Sequence, residues 1–544
     1  MDRKKIHKIE GVISSHKFLS FSLLLISIIT YILLSSKNIA TFSYYEEDFF
    51  SQYFADFVVR LDENGRIWCD CKEFERSSCK KFGHLTFREC PPNISVKIKN
   101  SEIPILIAPH IGASAGLLLK LYIKILQTLG ISGKNMKDRI ILFRSFGVIV
   151  GVIFGVILIF FITSKIFGHP AAGISSVLLS TNPIFILLFS SFSTVILLVD
   201  YLPVIVLLTI SLAVSIFILR IRIRAKVILI SAFVLTLAIF PFILYQLMYS
   251  GQWNDLRLWA SPIKYAYHRL IPESLIKNFA NSLIFLFLNN LPETGIGWWV
   301  LSGSGQNYTF QIIRGILIFI GFLNFILSEK NMKLRYLFVM LISAYVFLLS
   351  LFDISSHHHV VPSFILHIAC AKGIAEFKIR MKLRLIPLYI PLVFTVILIS
   401  SVGFIINSKK LQEANPDKLL EPKLQVVEFL IKNNIKSVVE VAPNHHIPIG
   451  ILTDGKIKVV SYLLVSAKFM RKLRSDERSY IEEFTILMRK IFSLERNSVF
   501  IHGDYSLDGF YRFLRRLGFE VRELFRISVG KYYLSVFTVV PTID

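Results

Sequence analysis

FLSFSLLLISIITYILL, residues 18–34, is a run without a single charge, preceded by Asp2-Arg3-Lys4-Lys5 and followed by Ser35-Ser36-Lys37-Asn38-Ile39-Ala40. It is long enough to cross the hydrocarbon of a bilayer. No small-residue cleavage site follows it, so it reads as an uncleaved first span with its basic end inside. The rest of the chain has the same character. With 544 residues, 54% hydrophobic content and 47 Phe, and a mean hydropathy of +0.60, the composition excludes an ordinary soluble protein. The net charge of +24 would point to nucleic acid in a soluble chain. Here the Lys and Arg cluster between apolar runs, which is topological information and implies no nucleic-acid partner.

Further apolar runs of spanning length lie at about 140–164, 172–190, 196–218, 227–249, 309–327, 335–352, 359–377 and 385–406. Between them stand Lys165 and His169, then Arg220, Arg222, Arg224 and Lys226, then Lys330, Lys333 and Arg335, then Lys378, Arg380, Lys382 and Arg384. Nine spans place every one of these basic segments inside. Ile111 to Leu129 is also apolar, but counting it as a crossing would put the later basic segments outside. It reads instead as an interfacial or re-entrant helix. The expectation is an integral, multi-pass membrane protein with a cytoplasmic N-terminus. A first outer loop covers about 37–139, and a second outer segment covers about 250–308 with Trp253, Trp259, Trp298 and Trp299.

Glu413, Asn415, Pro416, Asp417 and Pro422 mark a linker out of the membrane part. The expected division is a membrane domain at 1–410 and an extracytoplasmic α/β domain at 411–544. In the latter, a helix at about Leu424–Ile435 precedes a strand at Ser437–Val441, and Asp454-Gly455 between Ile449–Leu452 and Ile457–Ser461 signals a hairpin. Strands around Ser498–His502 and Lys531–Val540 bracket a helix at Leu507–Leu517.

Cys69, Cys71, Cys79 and Cys90 crowd the first outer loop, where oxidising conditions favour two disulfides. Three pairings are open, and so is a zinc site that adds His84, although the Cys69-Asp70-Cys71 gap is not a usual knuckle spacing. Cys370 lies in a span as a packing residue. Asn93-Ile94-Ser95 and Asn307-Tyr308-Thr309 are outer-side glycosylation sequons.

The carboxylates of Tyr44-Tyr45-Glu46-Glu47-Asp48-Phe49-Phe50 emerge directly after the first span. Acids so close to a bilayer are costly without partners or work. Asp200, inside the fourth span, raises the same question. It is a second acidic group of a site or the partner of a neighbouring basic residue. His357-His358-His359, after Asp353, sits at the outer end of a span, where it forms a polar turn or meets a phosphate. Three consecutive residues do not share one direction, so they do not ligate one metal together.

Glu46-Glu47-Asp48, Ala108-Pro109-His110 leading into Leu117-Leu118-Leu119-Lys120-Leu121, and Arg144-Ser145 form a succession of features. It continues with Lys165-Ile166-Phe167-Gly168 and Leu178-Leu179-Ser180-Thr181-Asn182-Pro183. Over roughly residues 15–405 this resembles the GT-C superfamily of membrane glycosyltransferases, in the manner of the protein O-mannosyltransferases and the lipid A aminoarabinose transferases. The resemblance implies an inverting transfer of sugar from a polyprenyl-phosphate donor to a protein, lipid or glycan acceptor at the outer face. It makes Glu47 the general base, with Glu46 and Asp48 as alternatives, because the family writes Asp-Glu where this chain has three acids. It assigns the donor phosphate to Arg144 and to His357, His358 and His359, with Asp200 a possible second acid. A carboxylate within hydrogen-bond reach takes the acceptor proton as the anomeric carbon is attacked, and the leaving phosphate needs cationic or hydrogen-bonding partners. No resident cofactor is implied; a divalent metal on close carboxylates stays open.

The chain has no Walker loop, dinucleotide fingerprint, HExxH or nucleophile elbow, which argues against an ATP-driven pump. A transporter or flippase is the competing class, and a non-catalytic scaffold of the same architecture is the third.

Overall fold

A computed structural model of the chain describes residues 3–39, 65–70, 79–82, 85–89, 94–98, 101–105, 113–131, 133, 135–190, 217–219, 272–288, 309–352, 360–377, 389–414, 416–440, 449–453, 456–461, 485–486, 488–489, 491–493 and 495–542. Two contact units emerge. One comprises Met1–Ala40, Arg144–Ile239 and Asp255–Ala414; the other comprises Thr41–Phe143, Phe240–Asn254 and Asn415–Asp544.

The first half contributes α1 (Arg3–Asn38), strands β1 (Gly65–Asp70), β2 (Cys79–Phe82), β3 (Leu85–Glu89), β4 (Ile94–Ile98) and β5 (Ser101–Ile105), then α2 (Ala113–Thr128) and α3 (Met136–Val150). A π-helix, Gly151–Ile157, continues α3 into α4 (Leu158–Phe167), followed by α5 (His169–Ser180), α6 (Pro183–Ser190) and α7 (Pro272–Leu288). Next come α8 (Thr309–Ser328), α9 (Met332–Phe352), α10 (Val360–Ala375) and α11 (Tyr389–Ala414). The tail holds α12 (Leu420–Lys432), β6 (Ser437–Glu440), α13 (Ile449–Leu452), β7 (Lys458–Ser461), β8 (Val499–Asp504), α14 (Leu507–Arg516), β9 (Phe519–Val529) and β10 (Tyr532–Pro541).

The protein is mostly helical with a small C-terminal sheet. Among the described residues four helical stretches are long and apolar enough to cross a membrane: Lys17–Lys37, Lys137–Phe167, Thr309–Ser328 and Ile390–Ala414. They carry large apolar side chains outward as well as inward, with Phe18, Leu33, Phe154 and Leu398 all exposed, which marks a membrane protein. The runs expected at 335–352 and 359–377 are α9 and α10. Those expected at 196–218 and 227–249 fall outside the described residues except for 217–219.

Two expected elements look different. The run at 172–190 is not one continuous helix but α5 and α6, broken at Thr181-Asn182. Pro183 has no N–H to carry the ladder through and its ring clashes with the preceding turn. Asn182 Oδ1 instead accepts the backbone N–H groups of Ile184 at 3.1 Å and Phe185 at 3.2 Å, capping the new helix. Second, the segment at 250–308, expected as an outer connection, contains α7. Its Leu283, Leu286 and Phe287 pack in a core shared with Ile318 of α8, Val346 of α9, and Leu366 and Cys370 of α10.

Small residues set the helix spacing. Gly155 lies in the π-helix, and a Cβ there would meet Phe185 Cζ at 1.9 Å. Gly373 of α10 lies so close to α8 that a Cβ would meet the Gly321 carbonyl oxygen at 1.8 Å. Because that obstacle is backbone, only helix separation relieves it, and overpacking of this kind costs about 1–3 kcal/mol. Gly373→Ala is therefore expected to lower the melting temperature of the detergent-purified protein. An unchanged melting curve would show that α8 and α10 do not approach so closely.

In the second unit an eight-stranded mixed sheet runs in the order β2-β3-β1-β7-β6-β8-β10-β9. β1, β7, β6 and β8 are mutually parallel neighbours, while both flanks are antiparallel. Side chains alternate across it. Val439, Phe500, Phe537 and Val539 face α14 and the stretch around Met488–Phe492, whereas Val438, Ile501, Leu534 and Val536 face α12 and α13. Ile140, at the start of α3, packs on the second face, and Lys137 pairs with Glu421 at 2.9 Å.

The hairpin expected around Asp454-Gly455 does not form. Ile449–Leu452 is α13, and β7 runs parallel to β6, a pairing that a tight turn cannot join and a crossover can. The first-loop strands β1 to β3 enter the same sheet through β1–β7 pairing. Cys69 and Cys79 stand on either side of β3, both opposite Arg88. Two strand spacings put their Cα atoms roughly 9–10 Å apart, beyond disulfide reach; the pairings of Cys69 or Cys79 with Cys71 or Cys90 lie outside the described residues.

Tyr511 of α14 donates to Glu523 Oε2 at 2.8 Å and shares a hydrogen bond with Ser535. Burial above all, with the Glu523 carboxylate beside it, pushes the phenol above the ordinary tyrosine value. A raised pKa means the stabilisation is complete below the unfolded value of about 10 and is lost as pH rises past it. Tyr511→Phe is expected to cost about 1 kcal/mol at neutral pH and to flatten the alkaline fall of melting temperature between neutrality and pH about 11. An equally steep alkaline fall in the variant would remove Tyr511 from that transition.

Candidate functional site

α8 buries Gln311, Arg314, Gly315, Ile318, Gly321 and Phe325, a spacing that puts all of them on one side of a 3.6-residue helix. Arg314, the only charged residue of α8, therefore occupies a core position and not a lipid-facing one. It is 1% exposed. Its Nη2 donates to the carbonyl oxygen of Leu178, at the end of α5, at 2.8 Å and lies 3.0 Å from His367 Nε2 on α10. His367 is itself fully buried.

The partners fix the imidazole. His367 Nδ1 faces the Ser363 carbonyl oxygen, which can only accept, so Nδ1 carries the proton and Nε2 presents its lone pair to Arg314. This neutral tautomer holds Arg314 without offsetting its charge. Among the described residues Nε and Nη1 of Arg314 have no hydrogen-bond partner, nor does Oε1 of Gln311 one turn earlier. No carboxylate pairs with Arg314 among the described residues. The contacts Arg314–His367 and Gly321–Gly373 advance together along both chains, so α8 and α10 run parallel. Arg314 and His367 then lie about 8 and 10 Å along their axes from the same helix ends, Thr309 and Val360.

Beside this pair the α5–α6 break brings Thr181 and Asn182 into the interior, both fully buried. Ser176 Oγ donates to the Val156 carbonyl of the π-helix at 3.3 Å. π-helical turns and interrupted helices recur at functional sites. The chemistry on offer is anion binding by a desolvated guanidinium with unused donors.

Arg144, expected at the donor phosphate, is 2% exposed and its Nη1 donates to the Ile39 carbonyl oxygen at 2.8 Å. That bond caps the end of α1, where carbonyls lack intrahelical partners and a cation is favoured. Glu46, Glu47, Asp48, Asp200, His357, His358 and His359 lie outside the described residues, as do His84, Cys71 and Cys90. No group of three metal-ligating side chains occurs among the described residues. Cys370 is buried at the α8–α10 contact, where its Sγ would meet a Cβ on Gly321. Arg314 and His367 were not among the residues expected from sequence; the available signal was a lone Arg inside an otherwise uncharged apolar run.

No family model matches the chain, and it is similar to no curated protein and no solved structure at a significant level.

A buried cation that lacks a counter-charge costs stability, and a buried polar group without a partner costs about 1–3 kcal/mol. Arg314→Met, similar in length and apolar, is expected to keep or raise the melting temperature in detergent. A marked fall would mean that Arg314 is a structural strut.

Proposed function

We propose that the protein is a GT-C-like membrane glycosyltransferase, with about nine spans, that moves a sugar from a polyprenyl-phosphate donor to an acceptor at the outer face. The observation that carries the reading is Arg314: a buried guanidinium with free N–H groups, held by a neutral His367 and facing no carboxylate among the described residues. Such a group favours an anion, and inside a bilayer the available anion is a lipid phosphate. In the orientation set by the basic segments, Arg314 and His367 lie one to two turns inside the outer helix ends. A phosphate whose isoprenoid tail stays in lipid is accommodated at that depth.

Arg314 then takes the phosphate-binding role that the resemblance assigned to Arg144, and His357, His358 and His359 precede the same α10 that carries His367. The acceptor oxygen forms its bond to the anomeric carbon from the face opposite the leaving group. The bond from that carbon to the phosphate oxygen breaks, and the polyprenyl phosphate leaves with the electron pair. The acceptor proton passes to Glu47, or to Glu46 or Asp48 in the other registers. Arg314 stabilises the charge that grows on the phosphate.

A second reading has its own observation. The interrupted α5–α6 helix, with Arg314 bound to the Leu178 carbonyl beside the break, is the kind of element around which transporters build anion sites. In that reading the lipid phosphate is carried and not cleaved.

Radiolabelled sugar transfer from a panel of polyprenyl-phosphate sugars, in membranes, tests the proposal. Arg314→Gln is expected to lower transfer about 10²–10³-fold, and one of Glu47→Gln, Glu46→Gln and Asp48→Asn about 10²–10⁴-fold. If no donor is consumed while polyprenyl phosphate changes leaflet in proteoliposomes in an Arg314-dependent way, the transporter reading replaces the enzyme.

A further inference from the structure

α14 is divided lengthwise. Leu507, Tyr511, Leu514 and Leu517 are buried in the sheet's core, while Asp508, Arg512, Arg515 and Arg516 lie on the outward stripe, at positions separated by four, three and one residues. Arg512, Arg515 and Arg516 are exposed and have no hydrogen-bond or ion-pair partner among the described residues. Met488, Ile491 and Phe492 pack beside α14 on the same face of the sheet, and exposed Arg489 extends the basic surface there. The acids nearest the stripe are already engaged, since Arg526 binds Asp508 at 3.2 Å and Glu523 at 2.9 Å.

The opposite face has a different balance. α12 alternates Glu421, Glu428 and Lys432 on its exposed side, and Glu421 pairs with Lys137. Among the described residues α14 thus presents three exposed arginines and one acid that Arg526 already engages, whereas α12 exposes charges of both signs. Only five residues separate Ala414, the end of a candidate span, from Leu420, the start of α12, and such a linker reaches about 18 Å at most. The nearest extended anionic surface to this domain is therefore a bilayer with acidic lipids.

We propose that the α14 face of the C-terminal domain docks on anionic lipid headgroups. Arginine suits the partner, because its planar fork binds phosphate oxygens bidentately and is weakly hydrated. The attraction fades beyond a Debye length of about 8 Å at physiological salt, so it acts only on a domain held close, as this one is by its linker. The proposal is independent of which reaction the membrane part performs.

Arginine modification by phenylglyoxal, read residue by residue by mass spectrometry, tests it on the full chain in nanodiscs. One sample has phosphatidylcholine alone and the other has phosphatidylglycerol added. Arg522 serves as the internal control: it is exposed, and its β10 partner Thr538 lies between Phe537 and Val539 of the α14-side core, which puts Arg522 on the other face. Modification of Arg512, Arg515 and Arg516 is expected to slow several-fold in the anionic discs and to recover in high salt, with Arg522 unchanged. Equal rates in the two lipids, or equal slowing at Arg522, would overturn the proposal.

Discussion

A guanidinium deep among apolar helices cannot shed its proton and so must be hydrogen-bonded. In this protein that requirement brings groups from three helices to one point. Arg314 of α8 reaches the Leu178 carbonyl of α5 and the imidazole of His367 on α10. Leu178 lies near the end of its helix, and Pro183 stops the next turn from continuing the ladder. The break of α5 and the burial of Arg314 are two sides of one arrangement. His367 can accept from Arg314 only because Ser363 takes its other nitrogen's proton. The pair is fully buried, and among the described residues no carboxylate offsets the charge of Arg314.

Close helix approach is what makes those hydrogen-bond distances reachable. Gly321 and Gly373 let α8 and α10 touch backbone to backbone, and Asn324 Nδ2 donates to the Gly373 carbonyl at 2.6 Å in the same contact. On the other side of α5, Gly155 admits the ring of Phe185, and the Val156 carbonyl of the π-helix accepts from Ser176 Oγ. Membrane helices associate without a hydrophobic drive between them, so small residues and interhelical hydrogen bonds carry the specificity.

Much of this was legible in the sequence, and what was not has physical causes. The apolar runs 18–34 and 309–327 both lie in helices, the second at nearly its bounds in α8 and the first inside the longer α1, because length against bilayer thickness is a strong constraint. The break at Asn182 was harder to read, since a proline within a span is tolerated as often as it interrupts. α7 was hidden by the tryptophans around it, which drew the segment 250–308 toward an interfacial reading. In the tail, Asp454-Gly455 carries the right turn chemistry, but β6 and β7 are parallel, and that pairing overrides the local signal. β9 is hard to read because Glu520, Arg522, Glu523 and Arg526 stand no more than three residues apart along an edge strand, where alternation is blurred and charge protects the free edge. Arg314 and His367 escaped notice because a site assembled from three helices has no spacing in one.

The sheet raises a separate point about how function is distributed. Its parallel centre, β1, β7, β6 and β8, draws one strand from the first loop and three from the tail, so the segment that follows the acidic run and the C-terminal segment share one hydrogen-bonded ladder. A loop of that length cannot be ordered by its own small strands, since isolated hairpins are marginal in water. Joining the tail's sheet supplies the missing neighbours. Truncating the tail removes β7, the strand on which β1 and its first-loop neighbours lean.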